Sequence, residues 1–106
     1  MEFKMSVPYL TDYETVAASQ TDQVLGGAGK IGNVLERLII VPASASPGVV
    51  SIKDGAGNAI TVFAGGASSL TELRPSVVEL GARSTGGAWK VTTGANVSVI
   101  AIGSFT

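Results

Sequence analysis

Turn-forming residues interrupt this chain at intervals of about 8–12 residues, and that spacing leaves room for short strands but not for helices. The interruptions are Pro42, "DGAGN" at 54–58, "STGG" at 84–87 and Gly94-Ala95. Between them lie "NVLERLIIV" (33–41), "GVVSIKD" (48–54), "AITVFAG" (59–65), "SVVELGAR" (76–83), "AWKVTT" (88–93) and "NVSVIAIGSF" (96–105). These runs are rich in β-branched side chains, which pack well on a pleated sheet and lose rotamer freedom in a helix. Pairing of "TDQVL" (21–25) and of part of 9–17 raises the expected count to about seven or eight strands. Asp54-Gly55 and Gly57-Asn58 favour a tight reversal because glycine, and to a lesser degree asparagine, accepts positive φ. Residues 48–65 are therefore the strongest hairpin in the sequence. One stretch, Ser69-Leu70-Thr71-Glu72, matches a helix capping box, but Pro75 limits it to about one turn. Residues 68–75 are expected to form a short helical turn or an irregular crossover. The expectation is an all-β, single-domain antiparallel sandwich or barrel over 21–106, preceded by an arm or first edge strand over 1–20.

Alternation within the strands separates buried from exposed faces. In 76–83, Val78, Leu80 and Ala82 point one way, and Val77, Glu79, Gly81 and Arg83 point the other, toward water. In 33–41, strict alternation puts Val34, Glu36, Leu38 and Ile40 on one face and Leu35, Arg37, Ile39 and Val41 on the other. In 96–105, Val97, Val99, Ala101 and Phe105 oppose Asn96, Ser98, Ile100 and Ile102. A sandwich strand normally shows water its outer face. The last two strands carry apolar residues on both faces, so a second subunit, the N-terminal arm or the chain's own loops are expected to cover one of them.

Composition agrees with that surplus. The 106 residues suffice for one core, and 45% are hydrophobic while only 14% are charged, against about 25% in an ordinary domain. Mean hydropathy is +0.41. No apolar run approaches the ~20 residues that cross a bilayer, so no membrane partner is expected. Subunit interfaces, which are apolar and poor in charge, are the natural place for the excess. The basic residues Lys4, Lys30, Arg37, Lys53, Arg74, Arg83 and Lys90 are scattered singly, and the net charge is −1. Nucleic acid, which selects clustered lysine and arginine, is not an expected partner.

The chain holds no cysteine and no histidine. Disulfides, thiolate metal sites, a Ser-His-Asp triad and a Cys-His pair cannot be assembled from it. The opening "MEFKMSVPYLTDYE" lacks the apolar core of a signal peptide, so export through the secretory route is not expected.

Residues 27–32, Gly-Ala-Gly-Lys-Ile-Gly, spell a literal G-x-G-x-x-G. A dinucleotide fingerprint needs a strand before it and a helix after it within a βαβ unit of about 30 residues. Here "NVLERL" leads straight into "IIV", leaving no room for the helix. A phosphate-binding P-loop fails as well, because Ile31 stands where serine or threonine should follow Lys30. The loop is expected to be a flexible connection between strands. The carboxylate pairs Glu72/Glu79 and Asp12/Glu14 are expected to be solvated surface acids, and "DGAGN" lacks the alternating ligands of a calcium loop. No catalytic residue, cofactor or metal is expected. Trp89, the single tryptophan, is expected to anchor a core or an interface; its other use would be as a platform for stacking sugars.

Residues 77–105, "VVELGARSTGGAWKVTTGANVSVIAIGSF", resemble small all-β virion proteins of tailed bacteriophages, in particular capsid decoration (cement) proteins. The likeness rests on "LGARS", on "GAWKVTTGANVSVIAIG" and on a chain that stops soon after its last strand. It implies a jelly-roll-like sandwich that binds the outside of an assembled head, as a homotrimer, and holds neighbouring major capsid proteins together. It implies a place on the virion surface, reached by assembly in the host bacterial cytoplasm, and no enzymatic activity. The interface candidates are Val7, Pro8, Tyr9 and Tyr13 in the N-terminal segment, Leu35, Ile39 and Val41 in one strand, Ile100 and Ile102 in another, and Trp89. Another phage component (tail, neck or head-fibre base) and a carbohydrate- or receptor-binding module are the alternatives.

Overall fold

The computed structural model describes residues 11–27 and 29–106. Its regular structure is eight strands, with no helix among the described residues. They are β1 (Asp12–Val16), β2 (Gln23–Val24), β3 (Val34–Pro42), β4 (Val50–Asp54), β5 (Ile60–Phe63), β6 (Ser76–Arg83), β7 (Trp89–Thr93) and β8 (Val97–Ser104). Two four-stranded sheets form, ordered β1-β8-β3-β6 and β2-β7-β4-β5, and every pairing is antiparallel. Only β4 and β5 are consecutive neighbours in one sheet; each other connection passes from one sheet to the other. The hairpin expected at "DGAGN" is that β4–β5 pair.

The segments expected to be strands are strands, and 68–75 is an irregular crossover rather than a helical turn. Its backbone is fastened across the loop, with Leu70 N donating to the Ala45 carbonyl at 3.2 Å and Ser69 N to Gly66 at 3.3 Å. β8 begins one residue later than the sequence suggests. Asn96 has φ of 60°, a left-handed conformation that closes the turn after Gly94-Ala95 and cannot belong to a strand.

The core lies between the sheets. The first sheet supplies Val16, Leu35, Leu38, Ile40, Val97, Val99 and Ala101; Leu25, Val50, Ile52, Trp89 and Val91 face them from the second sheet and its flank. Val78, Leu80 and Ala82 of β6 pack against this cluster, on the face that alternation assigns to them. Each fully buried side chain of this size contributes about 1.5–3 kcal/mol. Buried polar groups are tied down between the layers. Thr93 Oγ1 donates to the Ala17 carbonyl at 2.6 Å and accepts from Gln20 N at 3.0 Å. The Trp89 indole N–H donates to the Asn33 carbonyl at 3.1 Å, as a buried indole requires. Asn33 is itself buried, and its side-chain amide nitrogen finds no acceptor. Exchanging the two ends of that amide aims the nitrogen at Thr106 Oγ1, so either orientation leaves one capacity unused.

Leu35 departs from strict alternation. The β3–β8 register runs Leu35↔Gly103 and then Arg37↔Ile102, so β3 carries one extra residue, Glu36, at a bulge. The extra residue reverses the parity, and Leu35 joins Leu38 and Ile40 in the core, fully buried. Strand β6 answers with its own extra residue: Ala82 opposes Leu35 but Glu79 opposes Arg37. The adjustment falls at Gly81, whose φ of 63° a larger residue would hold only under strain.

Adjacent residues of β3 should therefore respond differently to truncation. Leu38→Ala is expected to lower stability by about 2–5 kcal/mol, because it empties a closed core. Ile39→Thr, on the opposite face, should cost no more than about 1 kcal/mol in the separate subunit, the scale of a cross-strand pair. Urea unfolding of the two variants beside the parent measures both.

Candidate functional site

The two outer faces of the sandwich differ in chemistry. On the β2-β7-β4-β5 sheet, Lys53 and Lys90 lie opposite one another, and so do Ser51 and Thr92. Lys53 Nζ reaches the Asp22 carboxylate at 3.2 Å, and this hydrogen bond holds the Asp22 pKa below its ordinary value. That face is mostly polar, as an outer sheet face in water should be, with Val24, in register with Lys90, as its apolar member on edge strand β2.

The outer face of the β1-β8-β3-β6 sheet has an apolar centre flanked by polar and charged residues, among them Arg83 and Ser104 in register with Val34. Reading across the strands in register, one row is Thr15, Ile100, Ile39 and Val77. The next is Tyr13, Ile102, Arg37 and Glu79. On the far side of the first row, Val41 stands opposite Ser98. Ile39 and Ile100 are direct cross-strand partners at the centre, where side chains stand about 4.5–5.5 Å apart and shield each other. Ile39, Val41, Ile100 and Ile102 are half-buried as a result. Toward the sheet edges the shielding fails: Tyr13 is 72% exposed and Val77 is 56% exposed. The charged pair here, Arg37 Nε on Glu79 at 3.3 Å, neutralises itself on the face. All eight strands lie within the two sheets, so no described strand covers this surface.

The structure brings five of the interface candidates together here: Tyr13, Ile39, Val41, Ile100 and Ile102. Leu35 and Trp89 lie inside the core instead, Leu35 through the Glu36 bulge and Trp89 because its β7 position points between the sheets. Trp89 is 4% exposed, so its ring is no platform for a sugar. Val7, Pro8 and Tyr9 lie outside the described residues. Val77 and Val34 belong to the same outer face and were missed by the sequence reading. Val77 shares its parity with Glu79 and Arg83 on a face read as wet, and strict alternation, blind to the bulge, groups Val34 with Leu38 and Ile40.

The glycine-rich loop has a different use from phosphate binding. Three amides in and beside it are taken by the protein: Gly26 N by Glu14 Oε1 at 2.8 Å, Gly29 N by the Thr106 carbonyl at 2.7 Å, and Gly32 N by Ser84 Oγ at 3.0 Å. A phosphate cradle needs such amides free and followed by a helix; here β3 follows. The loop closes one end of the sandwich. Asp54 has a similar structural part. Its carboxylate accepts from Gly86 N at 2.8 Å, Thr85 N at 3.0 Å and Thr85 Oγ1 at 2.9 Å, which clamps the β4–β5 hairpin to the β6–β7 turn. The amides of Gly86 and Thr85, in that order, hold its pKa below the ordinary carboxylate value. The acids weighed earlier as pairs are engaged separately: Glu72 with Arg74 at 2.6 Å, Glu79 with Arg37, Glu14 with the glycine loop, and Asp12 with Phe105 N at 3.4 Å.

No protein-family model matches the chain, no curated protein matches it significantly, and no solved structure does.

Two outcomes follow from the loop and the clamp. Gly27→Ala should leave stability within about 0.5 kcal/mol of the parent, because a Cβ there meets open space. Gly29→Ala should cost about 1–2 kcal/mol or more in thermal unfolding, because its φ of 64° is left-handed and its Cβ would strike Val24 and Ala88. The Asp54 clamp sets a pH dependence. A carboxylate with a depressed folded pKa stabilises the fold above its unfolded pKa of about 3.9 and loses that contribution as pH falls through the folded value. Asp54→Asn should therefore melt below the parent at pH 7, with the gap closing as the pH falls below about 4.

Proposed function

We propose that this chain is a non-enzymatic virion structural protein, a capsid decoration or cement protein that binds the outer surface of a tailed-phage head and stabilises it. The observation that carries the reading is the isoleucine and valine centre of the outer face of the β1-β8-β3-β6 sheet, set on a sandwich whose other outer face is mostly polar. A face of isoleucine, valine and tyrosine is costly to leave in water, and it gains in proportion to the area that a partner covers. The likeness of residues 77–105 to capsid decoration proteins supplies the setting: the virion, assembled in the bacterial cytoplasm, with the major capsid protein and further copies of this chain as partners.

The strand pairing supports reading the fold as a jelly roll. The first strand pairs with the last, β2 with β7, β3 with β6 and β4 with β5. A single long hairpin rolled upon itself into two sheets produces that set of neighbours.

The mechanism is linkage. A protein that binds the assembled shell but not separated subunits stabilises assembly by RT ln(1 + [L]/Kd), about 2.7 kcal/mol per site when free protein is a hundredfold above Kd. Association as a trimer multiplies the hold, because each further contact forms at the high effective concentration set by the first. Nothing in this mechanism calls for a cleft, a thiol or an imidazole.

Light scattering on the eluting protein tests the reading. The expected mass is a multiple of the chain mass, three for the trimer, and the double variant Ile39→Lys/Ile100→Lys should elute as a monomer with an unchanged circular dichroism spectrum. Added to heads of the encoding phage stripped of it, the parent should pellet with assembled shells and not with dissociated capsid protein. A parent that is monomeric at high concentration and ignores intact shells overturns the proposal.

A further inference from the structure

The packing of the β4–β5 turn on the β6–β7 turn places a chemically labile pair, Asp54-Gly55, at its centre. The other aspartates and asparagines, Asp12, Asp22, Asn33, Asn58 and Asn96, are followed by tyrosine, glutamine, valine or alanine; only Asp54 is followed by glycine. Glycine has no Cβ to hinder its amide nitrogen, so an Asp-Gly pair closes to a succinimide faster than an aspartate before a larger residue. The fold needs both members of the pair. Asp54 supplies the carboxylate that Thr85 and Gly86 hold. Gly55 is buried with φ of 63°, and a Cβ on it would overlap the backbone of Gly86.

The same contacts oppose the reaction. To close the ring, Gly55 N must give up its proton and reach Asp54 Cγ. That N–H is committed to the Ala88 carbonyl at 2.9 Å. Both carboxylate oxygens are committed as well, Oδ1 to Gly86 N at 2.8 Å and Thr85 N at 3.0 Å, and Oδ2 to Thr85 Oγ1 at 2.9 Å. Donors on the carboxylate favour its ionised form, which is the poorer electrophile. The attack therefore proceeds from an opened turn, at a rate scaled by the fraction of time the turn is open.

We propose that the clamp protects the Asp54-Gly55 pair from succinimide formation, and that isomerisation there is a covalent switch that frees the β4–β5 turn from the β6–β7 turn. The step balances with water alone. Gly55 N bonds to Asp54 Cγ, and the amide proton and the carboxyl hydroxyl leave as water. A second water then breaks the bond between Gly55 N and the Asp54 carbonyl carbon. The product is isoaspartate. Its backbone runs through Cβ and Cγ, a methylene longer, and the former carbonyl is the free carboxylate. That carbonyl accepts from Gly57 N at 3.1 Å in the hairpin turn, so turn and clamp are lost together. The inference goes beyond the reading of the outer face and does not depend on it.

Ageing of the purified full-length protein at neutral pH, followed by peptide mapping, tests the proposal. Isoaspartate at residue 54 should form about tenfold or more slowly in the folded protein than in the same chain held unfolded in urea, because only the opened fraction reacts. Thr85→Ala removes a donor from the carboxylate and should age several-fold faster than the parent, with an unchanged circular dichroism spectrum. Thr85→Ser keeps the hydroxyl and should age like the parent. Ile40→Val weakens the core without touching the clamp and should also age like the parent. The isomerised protein, separated by chromatography, should melt below the fresh protein. Equal rates in the folded and unfolded chain overturn the protection. A parent-like rate in Thr85→Ala, or an equal acceleration in Ile40→Val, overturns the role of the clamp. An isomerised protein that melts with the fresh one overturns the switch.

Discussion

The register between β3 and β8 decides what this sandwich hides and what it shows. These strands are the two central members of their sheet, and both carry apolar side chains on both faces. With a side-chain period of two, one face of each must go inward and the other outward. The Glu36 bulge then determines which set goes where, because it lets Leu35 and Leu38 both point into the core. Without it Leu35 would stand on the outer face and Val34 would turn inward, and the core would lose one of its largest fully buried side chains. Gly81 is the complementary half of the device, since β6 must follow β3 through the same irregularity to keep its pairing.

Once the core is closed in this way, Ile39, Val41, Ile100 and Ile102 are left outside. An isolated domain would place threonine, lysine or serine at such positions, as this chain does on its other sheet with Ser51, Lys53, Lys90 and Thr92. The contrast lies within one molecule, so a greasy overall composition does not account for it. A chain of this size buries only about two thirds of the surface its unfolded form exposes, and its margin of stability is correspondingly small. Placing four branched or aliphatic side chains where they add little to the subunit makes physical sense when they add to an association.

Much of the architecture was legible because β-sheet proteins advertise their turns. Asp54-Gly55, Gly94-Ala95 and the "STGG" stretch set strand boundaries through backbone chemistry that acts locally, and the strands fell where those signals put them. The alternation of β6 and β8 was equally readable, since nothing interrupts their period on the core side except Gly81. What stayed hidden depends on pairs of strands rather than on one. A bulge is a mismatch in count between partners, so neither Leu35 nor Val34 announces it. Val77 was expected on a wet face and is 56% exposed; what one strand alone does not show is that it stands in a row with Ile39 and Ile100 from two other strands. The G-x-G-x-x-G pattern shows the reverse case, a local signal without its context. The amides of Gly26, Gly29 and Gly32 donate to oxygens of Glu14, Thr106 and Ser84, partners from three separate parts of the chain.

The polar closures at the sandwich ends fix where the described loops lie. Asp54 holds one turn to another, Glu14 and Ser84 hold the glycine loop, and Thr93 holds the segment leaving β1. These hydrogen bonds fix loops at the ends and sides of the sheets, clear of the Tyr13, Ile39 and Ile100 surface. Loops that folded over that surface would satisfy the isoleucines within one subunit and remove the reason for association. Keeping them tied elsewhere leaves a pleated face whose branched side chains are already restricted at χ1. Ordering costs are a large part of what an interface must overcome. For a partner of the kind proposed above, a preformed face of β-branched residues, stiff at χ1, meets much of that cost during folding.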